Sequence, residues 1–205
     1  MMTASWRRAA LMVIAGSSAI LMILVWSGKT DSIDTALRNW ALSWNSQTTV
    51  AVWQDISLMG SVAVISGLTI LSLGAFLILR DWQAARLIML SMLGAGALDT
   101  TIKWIVQRPR PDEAYFHTMP TTYSFPSGHA LYSFMFYLTI AAIADRQVFG
   151  DWRWAVWCFA TATIVLIGAS RIFLGVHYGS DVIGGYLIAA FWMVFLSPDK
   201  APDKS

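Results

Sequence analysis

Residues 59–79 read MGSVAVISGLTILSLGAFLIL and contain no charged side chain. A helix needs about 20 mainly apolar residues to cross the ~30 Å hydrocarbon core of a bilayer, so this run predicts a membrane span. The composition of the whole chain supports this prediction, because 57% of its 205 residues are hydrophobic and only 13% are charged. Ordinary soluble domains carry about 25% charged residues. We therefore expect an all-α, polytopic membrane protein.

Five further apolar blocks bring the predicted number of transmembrane helices to six. The predicted spans are Ala9–Trp26, Met59–Leu79, Ala85–Val106, Ala130–Ala144, Trp152–Ala169 and Val182–Leu196. Some blocks are short, so flanking polar residues must lie near or inside the membrane boundary. No second domain or internal repeat is indicated, and residues 1–205 are expected to form a single membrane-embedded domain.

The segment between the first two spans, Lys29–Asp55, is of mixed polarity. It carries apolar residues at helical spacing, namely Ile33, Leu37, Trp40, Ala41 and Trp44. This spacing favours an amphipathic helix along the membrane interface, and a plain connecting loop is the alternative. The first block follows two arginines, as a signal peptide would, but it is long and lacks a small-residue cleavage site. We interpret it as an uncleaved span.

Basic residues set the expected orientation, because positively charged loops mark the cytoplasmic side. In a six-span chain one side receives Arg7, Arg8, Arg80, Arg86, Arg146, Arg153, Lys200 and Lys204. Both termini are therefore expected in the cytoplasm, and the membrane is expected to be a bacterial cytoplasmic membrane. Lys103, Arg108, Arg110 and Arg171 fall at the opposite side, against the rule, which suggests a task other than topology.

The first polar cluster is KWIVQRPRP, residues 103–111, at the end of the third span. Pro109 and Pro111 oppose continuation of the helix. Arginine offers two-pronged hydrogen bonds to phosphate oxygens and lysine a point charge, so the three cations suit a multiply charged anionic headgroup. Ordinary snorkelling of Lys and Arg to the interface is the alternative.

The second polar cluster, Pro126–His129, directly precedes the fourth span. Ser127 is a favourable N-cap, Gly128 permits close approach of the backbone to a ligand, and free N–H groups at a helix start favour an anion. His129 would lie beside that anion, where it can donate a proton. A turn followed by an interfacial histidine is the alternative.

The third polar cluster is SRIFLGVHYGSD, residues 170–181, which opens the sixth span. His177 and Asp181 share a helical face if the helix begins early enough. A carboxylate on one imidazole nitrogen fixes the tautomer and leaves the other nitrogen free to attack. Asp181 as a simple helix cap is the alternative. All three clusters are expected at the same, extracytoplasmic face.

Taken together, the clusters resemble the signature of the type 2 phosphatidic acid phosphatase family, also called the lipid phosphate phosphatase superfamily. That signature is a lysine, six residues and Arg-Pro; then Pro-Ser-Gly-His; then Ser-Arg, five residues, His, three residues and Asp. This chain matches it in order at Lys103, Arg110-Pro111, Pro126–His129, Ser170-Arg171, His177 and Asp181. The motif core spans 103–181, and the spacing selects Arg110 over Arg108.

The resemblance implies a phosphatase that needs no metal or other cofactor. His177 would attack phosphorus and form a phosphohistidine, oriented by Asp181, and His129 would protonate the leaving oxygen. The phosphate oxygens would be held by Lys103, Arg110, Ser127, Gly128 and Arg171. The implied substrate is a membrane lipid, with undecaprenyl diphosphate, phosphatidylglycerol phosphate, phosphatidic acid and diacylglycerol pyrophosphate as candidates.

Asp99 lies outside the signature, one helical turn before Lys103. An ion pair would lower the cost of placing both groups in the membrane, and we hypothesise that Asp99 positions Lys103. A pair needed only for insertion is the alternative.

Two alternatives to a phosphatase stay open. No residue distinguishes water from an acceptor alcohol, so a lipid phosphotransferase is the nearest one. A non-catalytic carrier or scaffold is the other, and the complete catalytic set argues against it. The net charge of +2, without a basic run, opposes a nucleic-acid partner.

Overall fold

The regular structure of this chain is helical throughout the residues that the computed structural model describes, which are 4–111, 122–146, 150 and 152–197. The helices in these residues are α1 (Ala4–Trp26), α2 (Asp31–Ser43), α3 (Gln47–Leu58), α4 (Val62–Ile78), α5 (Trp82–Val106), α6 (Gly128–Ala144), α7 (Trp152–Phe173) and α8 (Gly179–Leu196). The predicted all-α class is confirmed. Lys200 and Lys204, used above for orientation, lie outside the described residues.

Five helical stretches in the described part of the chain are long and apolar enough to cross a bilayer. They are Ala4–Trp26, Gln47–Ile78, Trp82–Val106, Trp152–Phe173 and Gly179–Leu196. The apolar helix α6 has 17 residues, a length of about 25 Å. Large apolar side chains face outward, and Ile70 and Leu71 are each 70% exposed. Such a surface suits lipid rather than water, so the chain is a multi-span helical membrane protein.

The segment between α1 and α4 contains two helices where the sequence predicted one, and the alternative of a plain loop is wrong. α2 ends at Ser43, and Ser46 starts α3 with a capping box. Its Oγ accepts from the Thr49 N–H at 3.2 Å, while the Ser46 N–H donates to Thr49 Oγ1 at 2.7 Å. The reciprocal cap satisfies N–H groups that a helix start leaves unpaired, so the chain begins a new helix here.

The centre of the bundle is formed by α6 and α8. α6 contacts α4, α5, α7 and α8, and α8 also contacts α1, α2 and α5. Leu131, Met135 and Ile188 pack in the buried core between them. At the far end, the Arg7 side chain donates to the carbonyls of Val194 at 3.1 Å and Phe195 at 2.6 Å. A cation thus binds carbonyls in the last turn of α8, where the helix dipole is negative.

Two glycines of α8 let the chain before α6 pack directly on that helix. A Cβ on Gly185 would lie 2.8 Å from the Ser127 carbonyl oxygen, and one on Gly184 would overlap the Phe125 ring. The close approach requires residues without side chains. It also allows the Ser127 N–H to donate to the Asp181 carbonyl at 3.0 Å, which joins the second polar cluster to the third.

Candidate active site

The structure brings the three polar clusters together at one end of the bundle. Lys103 lies in the last turn of α5, His129 in the first turn of α6 and Arg171 in the last turn of α7. His177 lies in the connection between α7 and α8, and Asp181 lies in the first turn of α8. Residues far apart in sequence therefore surround one location.

His177 precedes α8, which begins at Gly179, so the condition for a shared helical face with Asp181 is not met. Gly175, with φ of 71°, ends α7, in the left-handed conformation that glycine adopts easily. The N–H groups of Val176 and His177 then donate back to the Arg171 carbonyl at 3.1 and 3.3 Å. This turn, rather than a helix, brings His177 to Asp181.

Asp181 holds the Nδ1 side of the His177 ring. Asp181 Oδ2 lies 3.3 Å from His177 Nδ1. The same oxygen accepts from Ser124 Oγ at 2.6 Å and from the Tyr178 N–H at 2.9 Å. His177 is 2% exposed and Asp181 is 0% exposed. The carboxylate is therefore fixed in a buried, fully hydrogen-bonded position against the imidazole.

The other ring nitrogen, His177 Nε2, lies 3.0 Å from Arg110 Nη1. A guanidinium group only donates hydrogen bonds, so we infer that Nε2 is unprotonated and that Nδ1 carries the proton toward Asp181. Arg110 is held by Thr122, to whose carbonyl its Nε donates at 2.7 Å, and by the Val176 carbonyl at 3.1 Å. In this tautomer the lone pair of Nε2 faces the guanidinium of Arg110.

The environment keeps His177 neutral. Burial lowers the pKa of His177 to about 4, and the charges of Arg110 and Arg171 act in the same direction. The hydrogen bond and charge of Asp181 oppose these effects without cancelling them. At neutral pH the imidazole is therefore in the form that can act as a nucleophile.

We expect His177 to titrate near pH 4, well below the value of about 6.5 for an exposed histidine. As the pH falls, the neutral ring should persist until that low midpoint, because protonation would bury a charge beside two arginines. The measurement is a ¹⁵N NMR titration of histidine-labelled protein in detergent, with His129→Asn and His117→Gln variants to assign the resonances. An ordinary midpoint for His177 would contradict this expectation.

Lys103 is buried and forms the expected ion pair with Asp99, one turn earlier on α5. Its Nζ also donates to the Pro126 carbonyl at 2.7 Å. A Cβ on Gly128 would lie 3.3 Å from Asp99 Oδ1, so the carboxylate lies directly against the start of α6. The pair therefore connects the first cluster to the second.

Arg171 is buried at the end of α7 and donates from Nη1 to Ser57 Oγ on α3. The same region of α7 is held by Asn45, whose Nδ2 donates to the Phe173 carbonyl at 2.7 Å. Trp53 of α3 stacks on the Phe173 ring, with ring centroids 4.5 Å apart. The helix α3 therefore fixes the position of Arg171 through polar and aromatic contacts.

Ser127 occupies the N-cap position of α6, but its side chain makes no cap hydrogen bond, unlike the predicted N-cap role. Its Oγ is buried and has no hydrogen-bond partner among the described residues. His129 is half-buried and likewise forms no hydrogen bond within that part of the chain. A buried hydroxyl without a partner is costly, so Ser127 suits a ligand that supplies an acceptor.

Family comparison agrees with this arrangement. The model of the PAP2 superfamily matches residues 84–201, more than half of the chain and all three polar clusters. The chain belongs to the PAP2 superfamily. The family predicted from the three motifs is thereby confirmed, and with it the predicted class of enzyme, a phosphatase.

Relatives of this PAP2 protein include phosphatidylglycerophosphatase B of Bacillus subtilis, 29% identical over 171 residues, covering 82% of this chain and 83% of that protein. The undecaprenyl-diphosphatase of Sulfolobus acidocaldarius is 31% identical over 115 residues, covering 54% of this chain and 52% of that protein. In structure, the chain is similar to the PAP2-type phosphatidylglycerolphosphate phosphatase from Bacillus subtilis, with a TM-score of 0.78 at 25% identity, covering 90% of this chain and 94% of that one.

Several contacts of this PAP2 site involve residues that sequence reasoning missed. Ser124 binds Asp181, Ser57 binds Arg171, and Asp34 of α2 binds Arg108. A lone Ser or Asp in a polar segment carries no sequence signal of its own. Within the described residues, no group of three or more His, Cys, Asp or Glu is placed to hold a metal ion, and metal independence stays a prediction.

Arg108, one of the three cations that the first cluster offered to an anionic headgroup, binds carboxylates of the protein instead. Its Nη1 donates to Asp181 Oδ1 at 2.8 Å. Its Nη2 donates to Asp34 Oδ2 at 2.8 Å. Arg110, by contrast, lies beside His177, in agreement with the choice made from motif spacing. The two arginines of the Arg-Pro-Arg-Pro sequence therefore face different partners.

Proposed function

We propose that this chain hydrolyses a phosphate monoester or diphosphate of a membrane lipid through a phosphohistidine formed on His177. The observation that carries the proposal is the geometry of that ring. Its Nδ1 faces the buried carboxylate of Asp181 at 3.3 Å, and its Nε2 faces the guanidinium of Arg110 at 3.0 Å. A neutral imidazole with an oriented lone pair beside a cation is suited to attack an anionic phosphorus centre.

In the first step, His177 Nε2 forms a bond to phosphorus as the bond from phosphorus to the leaving oxygen breaks. His129 gives its proton to that oxygen, and Asp181 stabilises the positive charge on the phosphorylated ring. In the second step, water attacks the phosphohistidine while His129 accepts a proton. Inorganic phosphate leaves and His177 returns to its neutral form.

The transferring phosphoryl group needs compensation for its negative charge in a site with little water. We assign this role to Lys103, Arg110 and Arg171, together with the Ser127 hydroxyl and the Gly128 N–H. No described carboxylate lies within ion-pair distance of Arg110, which donates to carbonyls, a hydroxyl and His177. Burial lowers the pKa of Arg110, because removal from water disfavours the charged form, and an anionic ligand would offset that cost.

Asp99 is proposed to position the Lys103 ammonium group for this task. We expect Asp99→Asn to lower kcat about tenfold, because an amide replaces the charge-assisted hydrogen bond with a weaker one. Phosphate release and the thermal unfolding midpoint are measured together. The exposed neighbour Thr100 supplies the control variant Thr100→Ala. If Asp99→Asn kept full turnover, the positioning role would be contradicted, and Asp99 would serve only membrane insertion.

We propose six membrane spans, formed by α1, α4, α5, α6, α7 and α8, with the site at the extracytoplasmic surface. The end of the bundle opposite the site carries Arg7, Arg80, Arg86, Arg146 and Arg153, the charge pattern of a cytoplasmic side. On α2 and at its C-cap, the exposed side chains of Ile33, Trp40 and Trp44 suit an amphipathic helix along the outer membrane interface. Both termini are then cytoplasmic.

The membrane location and the relatives favour a lipid substrate. An apolar groove of about 290 Å³ between α4, α5 and α6 includes Val62, Ile65 and Tyr132. Tyr132 lies one turn after His129, so an acyl or prenyl chain in this groove would lie close to the protonated leaving oxygen. The names of the relatives favour phosphatidylglycerol phosphate and undecaprenyl diphosphate over phosphatidic acid and diacylglycerol pyrophosphate.

The test is a phosphate-release assay on purified protein in detergent with EDTA present, over these four lipids. Release of inorganic phosphate from at least one lipid is expected. Labelled glycerol in a parallel reaction distinguishes water from an acceptor alcohol, because a phosphotransferase would place the phosphoryl group on glycerol. An absence of release from every lipid would contradict the proposal and favour a carrier or scaffold.

A further inference from the structure

We infer that Asp34, on a helix that precedes all three motifs, is a positioning residue for the His177–Asp181 pair and acts through Arg108. This inference rests on the proposed role of His177 as the nucleophile. Neither Asp34 nor Arg108 belongs to the residues assigned to phosphate binding, and both are buried. Their contacts form a continuous chain from α2 to the reacting imidazole.

Asp34 is 3% exposed, and both of its carboxylate oxygens are hydrogen-bonded. Oδ1 accepts from the Ser180 N–H at 2.9 Å. Oδ2 accepts from Ser180 Oγ at 2.5 Å and from Arg108 Nη2 at 2.8 Å. A negative charge at the start of α8 is favourable for the helix, and the same charge also holds the guanidinium of Arg108.

Arg108 transmits this contact to Asp181. Its Nη1 donates to Asp181 Oδ1 at 2.8 Å and to Ser180 Oγ at 2.7 Å. The two oxygens of Asp181 therefore have different partners, since Oδ1 binds Arg108 and Oδ2 faces His177. Rotation of the carboxylate would break a charge-assisted hydrogen bond. By holding Oδ1, Arg108 thus keeps Oδ2 directed at the imidazole.

The charge of Asp34 also matters to the reaction. Burial acts to lower the pKa of Arg108, but the charges and hydrogen bonds of Asp181 and Asp34 raise it overall. If Asp34 were neutral, the positive charge of Arg108 would be balanced by Asp181 alone. Less of the Asp181 charge would then remain to stabilise the positive ring of the phosphohistidine. Asp34 balances Arg108 and leaves Asp181 to His177.

Asp31 provides a matched control on the same helix. Its Oδ1 lies 3.1 Å from the same Nη2 atom of Arg108, but its side chain is 66% exposed. Exposed ion pairs contribute little because water screens them. Replacing Asp31 therefore removes one formal charge next to Arg108 without disturbing the buried chain of contacts.

The experiment compares Asp34→Asn with Asp31→Asn in the full-length protein in detergent, using the lipid that gives the highest phosphate release. We expect kcat of Asp34→Asn to fall about 10- to 100-fold, with KM within about twofold of the wild type, because the phosphate-binding cations are untouched. Asp31→Asn is expected to stay within about twofold in both constants. A loss confined to KM, or equal losses in the two variants, would overturn the inference.

A double variant separates positioning from a general effect on folding. If Asp34 acts through Arg108, then Asp34→Asn in an Arg108→Gln background should lower kcat no further than Arg108→Gln alone. Multiplicative losses would overturn the inference.

Should Asp34→Asn fail to fold, Arg108→Lys takes its place. Lysine keeps the positive charge but lacks the two-pronged guanidinium that binds two carboxylates at once. We therefore expect kcat of Arg108→Lys to fall at least about tenfold while KM stays unchanged. A wild-type kcat in this variant would overturn the inference.

The His177→Ala variant keeps this inference distinguishable from the proposed function. If His177→Ala is inactive and Asp34→Asn behaves like Asp31→Asn, the positioning role of Asp34 is overturned and the nucleophile stands. If His177→Ala keeps its activity, the proposed nucleophile is overturned, and the role of Asp34 with it.

Discussion

His177→Ala is expected to lower kcat for phosphate release by at least about 10⁴-fold, the loss typical of removing a catalytic nucleophile. The expectation follows from the ring itself, which is neutral and oriented by Asp181, and whose unprotonated nitrogen lies 3.0 Å from Arg110. Alanine keeps the backbone turn but removes the atom that bonds to phosphorus. The expected phosphoenzyme, stable to alkali and labile to acid, should also disappear when radiolabelled substrate is quenched.

The control for His177→Ala is substrate binding, because Lys103, Arg110 and Arg171 remain in place. We expect the variant to bind the lipid phosphate within about tenfold of the wild-type affinity while failing to turn it over. The thermal unfolding midpoint confirms that the protein is folded. Turnover at a substantial fraction of the wild-type rate, or an undiminished phosphoenzyme, would show that another group attacks phosphorus.

The sequence predicted best those features that local patterns encode. The apolar runs identified the helices, because membrane spans demand continuous apolar length. The motif spacing singled out His129, His177 and Arg110, and the structure brings these residues to the same end of the bundle, with Arg110 beside His177; their catalytic roles stay predictions. Even there, the geometry of His177 was not predicted, because the turn at Gly175 places it before α8.

The partners that hold the site were not predictable in the same way. Ser180 and Asp34 are separated by 146 residues, and Ser57 and Arg171 by 114. Asp34 lies in the first turn of α2, where an acidic residue is already explained by the helix dipole. Its burial and its contact with Arg108 come only from the packing of α2 on α7 and α8. A local pattern therefore cannot distinguish a helix-start acid from a positioning residue.

The predicted single amphipathic segment shows the same limit. Apolar spacing indicated a helix over the residues of α2, but the cap at Ser46 divides the segment. That division allows α3 to reach the end of α7 and place Ser57 against Arg171. A short cap sequence therefore determines whether this segment supports the site with one helix or two.

His129→Asn is expected to lower kcat about 10²- to 10⁴-fold on a lipid phosphate monoester, the usual contribution of a general acid. His129 lies at the start of α6 beside Ser127 and Gly128, and it forms no hydrogen bond to the described residues that would occupy its ring nitrogens. Asparagine is polar and similar in size to histidine, but its amide cannot act as a general acid or base near neutral pH. The second step should slow as well, because water then lacks a base.

The leaving group provides the decisive measurement for His129. An alcohol leaves poorly without a proton, since its pKa is close to the ~15.7 of water, whereas a lipid phosphate leaving from a diphosphate has a pKa of about 6. The fold-loss in His129→Asn should therefore be large for lipid monoesters and small for both diphosphates and p-nitrophenyl phosphate, whose departing oxygens are far less basic than an alkoxide. With the last substrate, a burst of nitrophenol should precede slow phosphate release. A uniform loss over all three leaving groups would instead assign His129 to holding the phosphoryl group, because binding does not depend on the basicity of the departing oxygen.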